Sequence, residues 1–307
     1  MLQEMNGVSF MKKIVKILVT VLMAALVLSM LSACSLGNKS SSNKKGKAGH
    51  FVIATDKDFS PFEFKDEKGN MVGFDIDILE AIAKDQGFTY ELKAVGWDAA
   101  VDALQKKSDS IDGMIAGASI IDERKGAGWI FSNGYFTATQ TLFVKKKSEI
   151  TGFADLAGLV VGVVGNSEGT EKTLGYKYAE GLKDQYQFEI KAYDTYSDLY
   201  NAVEKGEVVA GFGDTPAVSY EITNNGHKLK TLKETENAGY EYGFVISNPD
   251  KQPLLDLFNA GLENIKKNGT YEKIMIKYFG EPETEPETTT APPETEPEPA
   301  PEEGEEG

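Results

Sequence analysis

The sequence predicts an α/β fold built as two lobes, and three observations predict it. Short apolar strand patterns alternate with helical patterns from residue 50 to residue 280. After Phe143-Val144 the alternation starts again from a fresh strand, as a second lobe would. The residues outside 50–280 have compositions that do not build a core, so the alternation accounts for the whole globular part.

Residues 1–34 of the 307-residue chain read as an export leader. Met11-Lys-Lys-Ile-Val-Lys16 supplies the charged start, with Met11 the expected initiator, and Ile17 to Leu31 supplies the apolar run. The leader ends at Leu31-Ser-Ala-Cys34, and Cys34 is the one cysteine of the chain, so no disulfide is expected in the exported part. The stretch resembles a bacterial lipoprotein signal, which implies cleavage before Cys34 and a lipid anchor on it, on the outer face of a cell membrane. A tether of that kind points to a Gram-positive source. Residues 35–49, rich in Ser, Lys, Asn and Gly, form a flexible linker. Residues 281–307 hold only Glu, Pro, Thr, Ala and Gly and read as a disordered tail. Its 11 glutamates supply most of the formal net charge of -16, and that acidity argues against nucleic acid as a partner.

Between the ends, Phe51–Thr55 is an apolar run bounded by polar residues, hence a buried strand. Phe74 to Lys84 carries Ile76, Ile78, Leu79, Ile82 and Ala83 at helical spacing, with Asp75 as the expected cap and Gln86-Gly87 as the stop. Trp97 to Lys106 repeats the scheme with Asp98 as its cap, and Ile111 to Ala116 is the next strand. In the second lobe, strands are expected at Leu159–Val164, Phe188–Tyr193 and Val208–Phe212, and helices near Glu171–Glu180, Tyr196–Glu204 and Thr215–Thr223. Tyr240 to Ile246 is one more strand, and Pro253 to Tyr278 gives two helices broken at Asn268-Gly269. The alternation predicts mostly parallel sheets covered on both faces, with the lobes joined near Gln140–Lys147 and near Ala238–Val245. Lobe 1 then spans about 50–142 and 243–280, and lobe 2 about 146–238. Ligands of such sheets gather at the C-terminal ends of the strands.

The unusual residues lie at those ends. They are Asp56-Lys-Asp-Phe59 followed by Ser60-Pro-Phe-Glu63, Gly96-Trp97, Ala116-Gly-Ala-Ser119 with Asp122-Glu-Arg124, and Gly213-Asp-Thr-Pro216. With Val72-Gly-Phe-Asp-Ile-Asp77 and Asn268-Gly-Thr-Tyr271 they resemble, in order, the polar-amino-acid solute-binding proteins of ABC importers, from about Phe51 to Gly280. The resemblance implies a periplasmic-binding-protein-like fold of type II, with a two-strand hinge. It also implies a monomeric receptor that captures a free amino acid by hinge closure and delivers it to an ABC permease, with no cofactor and no metal.

The resemblance assigns roles residue by residue. Arg124, the one arginine of the chain, matches the group that grips the ligand's α-carboxylate. A planar guanidinium donates two parallel hydrogen bonds there, whereas lysine offers a mobile point charge. Asp214 matches the partner of the α-ammonium, although an Asp before Thr-Pro is also a plain helix cap. The carbonyl of Gly117 and the hydroxyl of Ser119 match further head-group contacts, with Ser119 where threonine is usual. In Gly165 to Thr170 the free amides around Ser167, Gly169 and Thr170 suit the same carboxylate, while a phosphate loop is excluded because no Gly-Lys-Ser/Thr follows. Phe59 and Trp97 match aromatics that sandwich the side chain, and Asp56 beside them favours a polar or cationic one.

Two other functions fit the same framework. A cyclohexadienyl-dehydratase-like enzyme shares the fold, and Glu168 would be its general acid. The chain has only His50 and His227 as histidines and shows no triad, so no catalytic residue is assigned. A ligand-sensing receptor domain is the third reading.

Overall fold

Two five-stranded sheets organise the chain, which a computed structural model describes over residues 48–165 and 171–281. The first sheet runs Thr89–Ala94, His50–Thr55, Gly113–Met114, Val245–Ile246, Ile130–Phe131, and the second runs Glu189–Tyr193, Val160–Val164, Ala210–Asp214, Gln140–Lys145, Leu229–Leu232. Pairings among the first three strands of each sheet are parallel and the others are antiparallel. The sheets are therefore mixed, not mostly parallel as expected. A parallel neighbour needs a crossover of a dozen or more residues. Gln140–Lys145 and Val245–Ile246 instead enter their sheets almost directly from the other lobe.

The crossing itself is a two-stranded antiparallel sheet of Phe136–Ala138 and Tyr240–Tyr242. The first joining segment thus lies upstream of the expected Gln140–Lys147, because Gln140–Lys145 pairs along its length in the second sheet. The expected strand Tyr240–Ile246 divides in two, one part in this hinge and one in the first sheet. Of the expected strand at 111–116 only Gly113–Met114 pairs.

The helices form where the apolar spacing placed them, but several caps differ. Helix Phe74–Gln86 is capped by Gly73 without a side-chain bond, and Asp75 is fully buried in its first turn. Helix Trp97–Gln105 likewise starts from Gly96, with Asp98 in its first turn. Asp214 occupies the N-cap position of Thr215–Asn224, yet its side chain bonds elsewhere. The helix expected from Glu171 begins at Leu174, because the Thr173 hydroxyl accepts the Tyr176 amide and sets the start there. Leu254, Leu255, Phe258, Leu262 and Ile265 form the buried stripe of Gln252–Lys267, which packs on Phe74–Gln86 and closes the first lobe.

Gly73 is where that lobe tolerates no side chain. Its φ is 138°, and a Cβ there would lie 2.1 Å from the Phe62 carbonyl oxygen. Glycine alone adopts such backbone without strain. Gly73→Ala is expected to cost about 3 kcal/mol or more and to lower the Tm of the ligand-free protein by roughly 6–12 °C in calorimetry.

Candidate functional site

The C-terminal ends of both sheets face one another across a small cavity. Asp56, Phe59, Trp97, Gly117, Ser119 and Arg124 line it from the first lobe, and Asp214 from the second. All the candidate binding residues within the described part of the chain therefore meet in one place. Ser167, Gly169, Thr170 and Glu168, like Cys34, lie outside the described residues.

Arg124 sits on the one-turn helix Asp122–Gly126 and is 1% exposed. Its guanidinium carbon lies 5.0 and 5.1 Å from the ring centroids of Trp97 and Trp129, which tilt against one another at 6.3 Å. Both indole faces are attractive to a cation and hold the plane in one orientation. Nη1 donates to the Ser119 carbonyl at 3.1 Å and Nη2 to the Lys172 carbonyl at 3.3 Å. Nε donates to Glu171 Oε1 at 2.9 Å. Burial pulls the guanidinium below its ordinary pKa, and Glu171 opposes that shift.

Asp214 ends strand Ala210–Asp214 and is 5% exposed. Gln140 Nε2 donates to its Oδ1 at 2.5 Å, and the Tyr242 hydroxyl donates to the same oxygen. Burial raises its pKa to about 6 against those two donors and the more distant Arg124. A buried carboxylate supplied only with neutral donors is an incomplete site for a cation.

Gly117 holds its place through backbone geometry. Its φ is 53°, and a Cβ would meet the Phe59 ring at 2.5 Å. Its amide donates to Asp75 Oδ2 at 2.9 Å, and the Tyr135 hydroxyl donates to the same oxygen at 2.7 Å. Asp75 thus serves the site loop and not a helix cap. Burial raises Asp75 to about 6, and burial first, then the neighbouring Asp75, pushes the buried Glu63 well above the ordinary carboxylate range.

The aromatic partners differ from the expected pair. Phe59 stacks on Tyr196 of the second lobe at 4.6 Å and on Phe62 at 5.0 Å, while Trp97 covers Arg124. Sequence reasoning passed over Tyr196, treating it as a helix start. The signal was the repeat of the lobes: Trp97 and Tyr196 each open the helix that follows the parallel edge strand of their own sheet, Thr89–Ala94 and Glu189–Tyr193. Glu171, also passed over, reaches Arg124 from the second lobe, with 5% of its side chain exposed. Nothing local marks that contact, which joins residues 47 apart.

A second, larger cavity shares Asp56, Trp97 and Tyr196 with the first. Asp58, Asp98 and Asp194 line it with Asp56, against Lys57 alone of the opposite charge. Burial raises Asp56 and Asp98, and Asp194 adds to the shift of Asp98. Asp58 also bridges the lobes, accepting from the Ser197 amide at 3.1 Å and its hydroxyl at 2.8 Å.

With Asp214 held above its ordinary 3.8, the native state binds more protons than the unfolded chain between about pH 4 and 6. That carboxylate therefore stabilises less as pH rises through the window. Asp214→Asn keeps an acceptor for Gln140 and Tyr242, so its ligand-free stability relative to wild type is expected to rise by about 2–3 kcal/mol from pH 4 to pH 7. Urea unfolding at several pH values measures it.

Comparison with known proteins gives concordant matches. The family model described as bacterial extracellular solute-binding proteins, family 3, matches residues 51–281. The arginine-binding extracellular protein ArtP of Bacillus subtilis is 31% identical over 259 residues, 84% of this chain and 96% of its own. Among solved structures, the arginine-, lysine-, histidine-binding protein ArtJ of Geobacillus stearothermophilus superposes with a TM-score of 0.66 at 33% identity, covering 76% of this chain and 97% of its own. An ancestral arginine-binding protein bound to glutamine gives the same TM-score of 0.66 at 36% identity, covering 76% and 99%.

Proposed function

This chain belongs to the bacterial extracellular solute-binding proteins, family 3, and from that premise we propose that it is the amino-acid receptor of an ABC importer, taking a free amino acid with a cationic side chain. The observation that carries the reading is the placement of Arg124 and Asp214, opposite charges on opposite lobes, at one cavity. A free amino acid is a small zwitterion. Its carboxylate suits the planar fork of Arg124, and its ammonium completes the neutral donor set around Asp214. Ser119 and Gly117 complete the head-group contacts on the first lobe. Closing the lobes makes both charge pairs at once, so ligand and closure stabilise one another.

The side chain extends past Trp97 and Tyr196 towards Asp56 and the acidic chamber. Four carboxylates against one lysine favour a guanidinium or an ammonium there. The names of ArtP and ArtJ point the same way. A lipid on Cys34 tethers the receptor at the extracellular face, and an ABC permease takes the ligand from the closed monomer. The reading assigns no catalytic step.

Isothermal titration with L-arginine, L-lysine, L-histidine and L-glutamine tests it. Micromolar binding is expected for at least one basic amino acid, and no heat from any of the four would sink the reading. Arg124→Lys is expected to weaken binding about 100-fold, since it trades a bidentate contact for a single point charge. Affinity should also fall about tenfold per pH unit below about 6, because the ligand's ammonium binds ionised Asp214. A flat profile from pH 7 to pH 4.5 excludes Asp214 from that role.

A further inference from the structure

The guanidinium assigned to the ligand's carboxylate already holds a carboxylate. Glu171 Oε1 stands 2.9 Å from Arg124 Nε and 3.3 Å from Lys177 Nζ. The backbone reinforces the contact: Trp97 Nε1 donates to the Glu171 carbonyl at 3.3 Å, and the next carbonyl, of Lys172, accepts from Arg124 Nη2. Lys177 reaches back across the cleft to Glu123 at 2.8 Å. Arg124, Trp97 and Glu123 belong to the first lobe, and Glu171, Lys172 and Lys177 to the second. Apart from the Glu171–Lys177 pair, which lies within the second lobe, each of these bonds exists only while the lobes are together.

All three nitrogens of Arg124 donate to protein acceptors in this arrangement. A bidentate grip on a second carboxylate would crowd two like charges onto one guanidinium in a site closed to water. The free amino acid therefore competes with a carboxylate that the chain supplies at high effective concentration.

We propose that Glu171 is a built-in surrogate for the ligand's carboxylate, which shuts the empty cleft on Arg124 and must be displaced before an amino acid can be gripped. The consequence is an affinity set below what the contacts themselves allow. A binding-competent state that is only fractionally populated weakens the apparent affinity by that fraction. The proposal rests on the reading of Arg124 as the carboxylate grip, while its effect on the empty protein does not depend on which solute is bound.

Two measurements on Glu171→Gln, with Glu171→Ala as a second variant in case the first folds poorly, test it. By small-angle X-ray scattering, the ligand-free wild type is expected to be compact and to contract little on adding L-arginine. The ligand-free variants are expected to show a larger radius of gyration and to contract on adding it. By calorimetry, L-arginine is expected to bind the variants about tenfold more tightly than wild type. Ligand-free variants that scatter as wild type does would overturn the proposal. So would weaker L-arginine binding, which would make Glu171 a support for Arg124 and not its competitor. If no variant and no wild type binds L-arginine, the ligand reading fails, and the scattering of the empty protein still decides the lock.

Discussion

A permanently charged guanidinium buried between two lobes is the constraint on which this structure depends. Removing such an ion from water costs several kcal/mol unless protein groups replace the lost hydration. Around Arg124 the replacement is complete: two indole faces, two backbone carbonyls and a carboxylate. Three of those five groups come from the first lobe and two from the second, so solvation of this side chain is coupled to closure of the cleft. Opening exposes Arg124 to water, and closing requires an anion. In the structure the anion is Glu171; in the proposed function it is the ligand's.

The opposite pole is built differently. Asp214 receives only neutral donors, and one of them, Tyr242, belongs to the hinge sheet. Tyr242 also pairs with Ser119, whose carbonyl holds Arg124. One hinge residue is thus bonded towards both poles of the site, and a change in hinge geometry alters both. The Asp75 carboxyl, buried behind Gly117, fixes the site loop by accepting from the Gly117 amide. The first lobe in this way presents a rigid half-site, and the second brings Asp214, Tyr196 and Glu171 to it.

The repeat of the lobes explains why the site is aromatic on both sides. In each, a ring opens the helix that follows the parallel edge strand, and the two rings line both cavities. Against that framework the chamber beyond Asp56 is acidic. Attraction for a cationic side chain then arises from Asp56 and Asp194 in loops, Asp58 on a short strand and Asp98 in the first turn of a helix.

Periodicity alone determined the α/β class, the two lobes and the order of strands and helices, since apolar spacing reports which face of an element is buried. The resemblance to the polar-amino-acid solute-binding proteins, carried by motifs that follow strands, marked Asp56, Phe59, Trp97, Gly117, Ser119, Arg124 and Asp214, and these line the cavity. The mixed sheets, the hinge at Phe136–Ala138 and the work of Asp75 were decided by tertiary structure. So were Tyr196 on Phe59 and Glu171 on Arg124. These are contacts between elements distant in the chain, or choices among partners that a local pattern allows equally. A pattern states that a side chain is buried or polar, but only the assembled lobes decide which partner it meets.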